Sequence, residues 1–189
     1  MKTRDEIKEW QRRVGTTPDG IWGPLSRAAA KRWLQGMHPR PNPWPKTDQE
    51  SLTGFYGLPG EVARHTRIDV AGLGVKFSGK TVRWVTCNQS CAESLERILH
   101  ELADMPEGRR VLAAYAGVYY HRAVRGGSTP SLHARAAAID LDPGTNGLRT
   151  PWPTRATMPI EVMEVFAREG WLCAGVAWGR DAMHFQATQ

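Results

Sequence analysis

Two short segments, "AAIDLD" at residues 137–142 and "AMHFQ" at residues 182–186, limit the folds open to this chain more than any other feature. Read as strands, each buries one face and projects polar groups from the other, because side chains alternate along an extended backbone. Ile139 and Leu141 share the apolar face of the first segment, with Asp140 and Asp142 opposite. Met183 and Phe185 share a face of the second, with His184 and Gln186 opposite. If the two strands pair in one sheet, Asp140 and His184 converge. His133, on the loop before the first strand, then closes a three-ligand site.

Two histidines and one carboxylate, with a fourth position left for water, form the ligand set of a catalytic zinc rather than a structural one. Such a site needs a general base. Asp181 sits three residues before His184 in "DAMH", close enough to reach a zinc-bound water whose pKa the metal would lower from about 15.7 toward 7. The arginines of "YYHRAVRGG", Arg122 and Arg125, are placed to bind a substrate carboxylate or to steady an oxyanion. Trp178 reads either as a wall of the cleft that holds Asp181 in place or as a core aromatic beside a Gly turn, and Ser131 either binds substrate or ends a turn. Asp142 competes with Asp140 for the ligand role; before Pro143 it reads instead as a loop cap or an outer-shell group. His38, His65, His100 and His121 read as surface or satisfied core residues.

The rest of the chain predicts an α+β domain preceded by a small helical segment. Thr3 and Glu6 can form a capping box for a helix bearing Ile7, Trp10 and Val14. "TTPDGIWGP" supplies turn chemistry, and Pro24 suits the start of a second helix through "LSRAAAKRWLQ". "GMHPRPNPWPKTDQES" then brings four prolines into sixteen residues, a composition that extends the chain and resists packing. The expected organisation is a helical head over residues 1–35, a linker over 36–50 and a main domain over 51–189. Within that domain "VKFSGKTVRWV" reads as a hairpin turning at Ser78 and Gly79. Leu95, Ile98, Leu99 and Leu102 form the stripe of a helix that Asn88 or Ser90 could cap, and a further helix runs from Pro159 to Gly170. Strands and helices mix without regular alternation, which points to α+β. Cys87, Cys91 and Cys173 are an odd number, best read as free thiols, with no further cysteine or nearby histidine to complete a metal cluster.

These residues carry two family resemblances. Gln11, Asp19, Gly20, Ile21, Trp22, Gly23 and Ser26 resemble the D-G-I/V-F/W-G signature of the peptidoglycan-binding domain attached to many wall hydrolases, which implies wall contact through Asp19, Gly20 and Trp22. "SLHARAAAID" and "DAMH" resemble the SxHxxGxAxD and [D/E]xxH motifs of the zinc D-Ala-D-Ala carboxypeptidase and L-alanyl-D-glutamate peptidase group, whose fold is shared with the Hedgehog signalling domain. The resemblance spans roughly residues 55–187 and implies His133, Asp140 and His184 as zinc ligands, Asp181 as base and Arg122 as electrostatic helper. Ser131, Arg125 and Trp178 are then expected substrate contacts. Ala136 stands where that family usually has glycine, which a negative φ would accommodate.

The formal charge of +6 favours an anionic partner, and residues 1–35 hold eight Lys and Arg against four Asp and Glu. A DNA-reading helix pair would want more varied polar groups than "RAAAKRWLQ" offers, so nucleic acid is not the expected partner. No stretch approaches the ~18 apolar residues of a membrane span, and "MKTRDEIKEW" lacks the apolar core of a secretory leader. The expectation is a monomeric phage-type endolysin, held in the host cytoplasm until a holin releases it to the wall. It would cut the L-alanyl-D-glutamate bond, with cleavage at D-Ala as the alternative. A non-catalytic wall-binding protein is the rival from another class.

Overall fold

A computed structural model describes residues 2–124 and 126–189. Helix α1 (Arg4–Arg13) starts at the expected capping box: the Thr3 hydroxyl accepts from the Glu6 amide, and the Glu6 carboxylate accepts from the Thr3 amide. It buries Ile7 and Trp10, and Gly15, at φ 73°, turns the chain after it. Helix α2 (Pro24–Met37) begins with Pro24 and runs past residue 35. Its buried face, Ser26, Ala29, Ala30 and Leu34, is small enough for close packing.

The proline-rich stretch is no extended tether, which corrects the expectation for residues 36–50. Trp44 is only 6% exposed, donates from Nε1 to the Glu169 carbonyl at 2.7 Å, and packs edge-on against Trp171. Asn42 donates to the Gly170 carbonyl at 3.1 Å. The prolines lack N–H donors that would need partners, so a strap with two polar anchors and one buried ring can lie on the domain at little cost.

The main body comprises α3 (Gln49–Tyr56), β1 (His65–Asp69), β2 (Lys76–Phe77), β3 (Lys80–Thr81), β4 (Trp84–Asn88), α4 (Ala92–Asp104), α5 (Pro106–Leu112), β5 (Tyr115–Gly117), β6 (Ala138–Leu141), α6 (Pro143–Asn146), α7 (Ile160–Arg168), β7 (Leu172–Cys173), α8 (Ala174–Ala177) and β8 (His184–Gln186). Strands β1 and β4 form an antiparallel pair, and the larger sheet has the order β3-β2-β5-β6-β8-β7, with β2 and β5 parallel. The architecture is α+β. The β2–β3 hairpin turns at Ser78 and Gly79, both at positive φ, as expected of that dipeptide. Asn88 caps a 3-10 turn over Gln89–Cys91, and α4 follows from Ala92, so the cap acts one turn earlier than the helix itself. The stripe of Leu95, Ile98, Leu99 and Leu102 is fully buried, and Phe166 of α7 stacks on Phe185 of β8 at 3.9 Å. The apolar face of β8 is thereby fixed, which forces its polar neighbours to the other side. The three cysteines are free and buried.

The two N-terminal helices dock on this body. Arg13 forms a two-pronged bond to Glu164 of α7 at 2.7 and 2.6 Å, and the Trp33 indole donates to the same carboxylate at 2.8 Å. Trp10 stacks on Trp152, with ring centres 5.3 Å apart, and Trp22 meets Trp152 edge-on at the same distance.

Candidate metal centre

Strands β6 and β8 pair antiparallel with Asp140 opposite His184, Ile139 opposite Phe185 and Ala138 opposite Gln186. That register places the two ligand-type residues on one face, because their neighbours are committed to the core. His133 arrives on a 3-10 turn, Leu132–Arg135, whose first amides are capped by the Ser131 hydroxyl. Asp140 Oδ1 lies 3.0 Å from His184 Nδ1 and 3.2 Å from His133 Nε2, and the two ring nitrogens are 3.2 Å apart.

The outer nitrogens decide what this triangle can hold. His133 Nδ1 donates to the Val118 carbonyl at 2.7 Å, since a carbonyl can only accept. Gln186 donates from Nε2 to Thr188, which turns its Oε1 toward His184 Nε2 at 3.0 Å and makes that nitrogen a donor as well. A neutral imidazole has one N–H, so both inner nitrogens face the centre with lone pairs, beside a carboxylate oxygen. Three acceptors about 3 Å apart demand a positive charge among them. Tetrahedral coordination at the ~2.0–2.1 Å usual for zinc sets neighbouring donors about 3.3 Å apart. The observed edges of 3.0 to 3.2 Å fit that geometry. The outer hydrogen bonds are those that orient histidines in metal sites. Among the described residues this buried His-Asp-His group could bind a metal ion.

Electrostatics agree. Burial alone would raise the Asp140 carboxyl, but its close contacts with His133 and His184 outweigh that and hold the group well below the usual carboxylate range. Burial alone would lower His184, yet the Asp140 carboxylate holds it above the ordinary imidazole value.

The cluster forms the floor of a cavity of about 400 Å³ whose walls include Arg122, Ser131, Trp178, Arg180 and Asp181. Asp181 is buried at φ 59°, its carbonyl accepts from the His184 amide at 2.9 Å, and its charge acts on the His184 ring. Trp178, 48% exposed, lies nearly parallel to the His184 ring at 5.7 Å and covers one side of the floor. Arg122 is half-buried on the rim. Arg125 lies outside the described residues. Arg180 is a wall residue the sequence reading did not single out; its adjacency to Asp181 in "WGRDAMH" was the available signal.

As expected, Asp142 stays out of the cluster: it pairs with Arg110 at 2.9 Å and accepts from the Thr145 and Asn146 side chains at the start of α6. Other expectations are revised. Ala136 adopts φ 53°, the left-handed conformation, not the negative φ that would have suited a side chain. Trp22 is 6% exposed against Trp152, which corrects the expectation of a wall-contacting ring. Asp19 accepts from Gln11 and from the Ile21 amide, and the Gly20 amide donates to Gln11 Oε1, so both serve the turn. Gly20 sits at φ 78° with the Arg4 side chain where a Cβ would be, which explains the glycine.

Residues 125–187 match the family model for D-alanyl-D-alanine carboxypeptidase, about a third of the chain. The matched span contains His133, Asp140, Asp181 and His184, and begins just after Arg122. No curated protein and no solved structure matches the chain. The match supports a peptidase of the metallopeptidase type that acts on peptidoglycan.

Proposed function

We propose that this protein is a zinc-dependent peptidoglycan endopeptidase that cuts the L-alanyl-D-glutamate bond of the stem peptide, in the manner of a phage endolysin. The observation that carries this reading is the convergence of His133, Asp140 and His184 lone pairs in a cavity that also holds Asp181 and two arginines. His133, Asp140 and His184 would hold the zinc ion, which would supply Lewis acidity toward the scissile carbonyl and the attacking water.

The chain's own groups do the rest. Asp181 takes the proton from the attacking water on its carboxylate and returns it to the leaving amine, the role of a base seated beside the centre. Arg122 and Arg180 pair with a substrate carboxylate and hold the peptide in register. Trp178 shields the His184 side of the cavity from water. Gln186 and the Val118 carbonyl keep both imidazoles in one tautomer, so their inner nitrogens remain acceptors.

Residues 1–35 are proposed as a wall-binding head and 51–189 as the catalytic domain, joined by 36–50. Wall contact then falls to exposed side chains of the head, such as Ile21 and Leu25, rather than to Trp22. Phage origin, release through a holin and a monomeric state belong to the same proposal. Among the described residues no helix is long and apolar enough to cross a membrane. Cleavage at D-Ala is the second reading, favoured by the description of the matched family.

Mass spectrometry of muropeptides released from defined walls separates the two. New N-terminal D-glutamate is the expected result, released D-alanine supports the second reading, and intact peptides from zinc-loaded protein contradict both.

A further inference from the structure

On the far side of Trp178 lies a second cavity, of about 420 Å³, large enough for a small ligand. It shares Val124, Leu132, Trp178 and Gln186 with the cavity over the metal cluster, so the two are neighbouring compartments of one groove. Their chemistry differs sharply. The first contains Arg122, Arg180, Asp140, Asp181 and two histidines, whereas none of the described side chains lining the second is ionisable. The exposed Thr47 and Thr129 offer hydroxyls there, beside the exposed indole of Trp178, while Gln49 accepts from Arg135, Gln189 donates to the Trp44 carbonyl and the buried Thr188 accepts from Gln186. Neutral hydrogen-bonding groups around an open aromatic ring suit a ligand with C–H faces edged by hydroxyl and acetamido groups.

The charge pattern gives the groove a direction. In intact peptidoglycan the lactyl carboxyl of the muramyl sugar is consumed in the amide to L-alanine, so the acyl side of the L-alanyl-D-glutamate bond is uncharged and ends in a sugar. The amine side carries the α-carboxylate of a γ-linked D-glutamate. Arginines in one compartment and, among the described side chains, uncharged ones in the next match that order. A bond to D-alanine would put a charged diamino acid near the neutral compartment instead, where no described side chain could pair with it.

Resting on the peptidoglycan-peptidase reading, we propose that the neutral cavity beyond Trp178 binds the N-acetylated muramyl sugar that bears the stem peptide, and so selects the bond nearest the glycan. Gln186 then has two roles, since it orients His184 and also lines the sugar compartment.

The test uses the full chain loaded with zinc and two soluble substrates sharing one L-alanyl-γ-D-glutamyl bond, one capped by N-acetylmuramic acid and one by acetyl. The sugar-capped substrate is expected to show kcat/KM higher by about tenfold or more, the effect of about 1.4 kcal/mol of added contact. Thr47→Trp and Thr129→Trp fill the cavity from exposed rim positions, and in each the ratio should collapse toward one. Equal rates for the two substrates, or a ratio that survives both substitutions, would overturn the proposal. Ligand-observed NMR with the peptide-free GlcNAc-MurNAc disaccharide keeps the two readings apart. Saturable binding that both substitutions abolish supports the sugar site even if neither peptide is cut, in which case the peptidase reading fails. No binding to the unsubstituted protein overturns the sugar site even if both peptides are cut.

Discussion

Around His133, Asp140 and His184 the chain gathers polar groups whose lone pairs face one another, whereas around Trp10, Trp22 and Trp152 it packs rings on one another and leaves the buried Trp22 indole nitrogen without a hydrogen-bond partner among the described residues. The first arrangement sets three acceptors against one another, held in place by paired strands. The second is ordinary packing, with all three rings buried and Trp152 only 3% exposed. They are nonetheless connected. The Trp152 amide donates to the Gly179 carbonyl at 3.0 Å, and Pro151 bridges to Arg180, so the docked helices lean on the loop that carries Asp181. The lesson is that a segment resembling a separable anchor can also form part of the wall behind an active site.

The largest expected effect lies at the centre. Asp181→Asn keeps the size of the side chain and removes the base, so turnover on muropeptides should fall by about 10²–10⁴-fold. Metal content should stay at the unsubstituted level, which separates loss of the base from loss of the ion.

The next effect lies at the docked rings. Trp152→Ala empties the space between Trp10 and Trp22 and should cost about 3–5 kcal/mol in chemical denaturation. Because the Trp152 ring packing positions the backbone that bonds the Gly179 carbonyl, kcat on a small soluble muropeptide should fall as well, while Trp152→Phe should recover much of it. If the head were only an anchor, Trp152→Ala would spare soluble substrates, and the head would melt in a transition of its own.

A smaller effect concerns Arg13. Arg13→Ala leaves Glu164 with the Trp33 indole alone and should destabilise the protein by about 1–3 kcal/mol near neutral pH. Burial would raise the Glu164 carboxyl, but hydrogen bonds from Arg13 and Trp33 outweigh it and hold it below its ordinary value. A carboxyl depressed in the folded state stabilises above its unfolded pKa, about 4.3, and loses that contribution as pH falls through the folded value. The gap between Arg13→Ala and the unsubstituted protein should therefore close in acid, as denaturation midpoints measured down a pH series would show.

The smallest effect is at Ala136. Glycine accepts φ 53° without strain, but adds freedom to the unfolded chain and removes a buried methyl. Ala136→Gly should therefore stabilise by no more than about 1 kcal/mol, read as a small upward shift in Tm.

The contrast also explains what could be read from sequence. Asp140 and His184 were legible because alternation with Ile139 and Phe185 fixes their face, and because two histidines and an aspartate have little use in a core. The capping box at Thr3 and the hairpin at Ser78 and Gly79 were legible because local backbone chemistry determines them. Trp22 misled because the same residue suits an exposed ligand platform and a buried contact, and only the position of Trp152 decides between them. The proline-rich strap misled for a similar reason: its composition is that of a linker, while the partners of Asn42 and Trp44 lie more than a hundred residues away. Arg180 left only a weak signal, its place beside Asp181, because its own residue type does not distinguish a cavity arginine from a solvated one.

The central claim is that His133, Asp140 and His184 hold one divalent ion, and titration calorimetry of zinc into metal-free protein tests it most directly. The account predicts one ion per chain for the unsubstituted protein and for Asp181→Asn, and loss of that binding in Asp140→Ala with the circular dichroism spectrum retained. An unsubstituted protein that takes up no zinc, or an Asp140→Ala variant that binds it as well, would contradict the account.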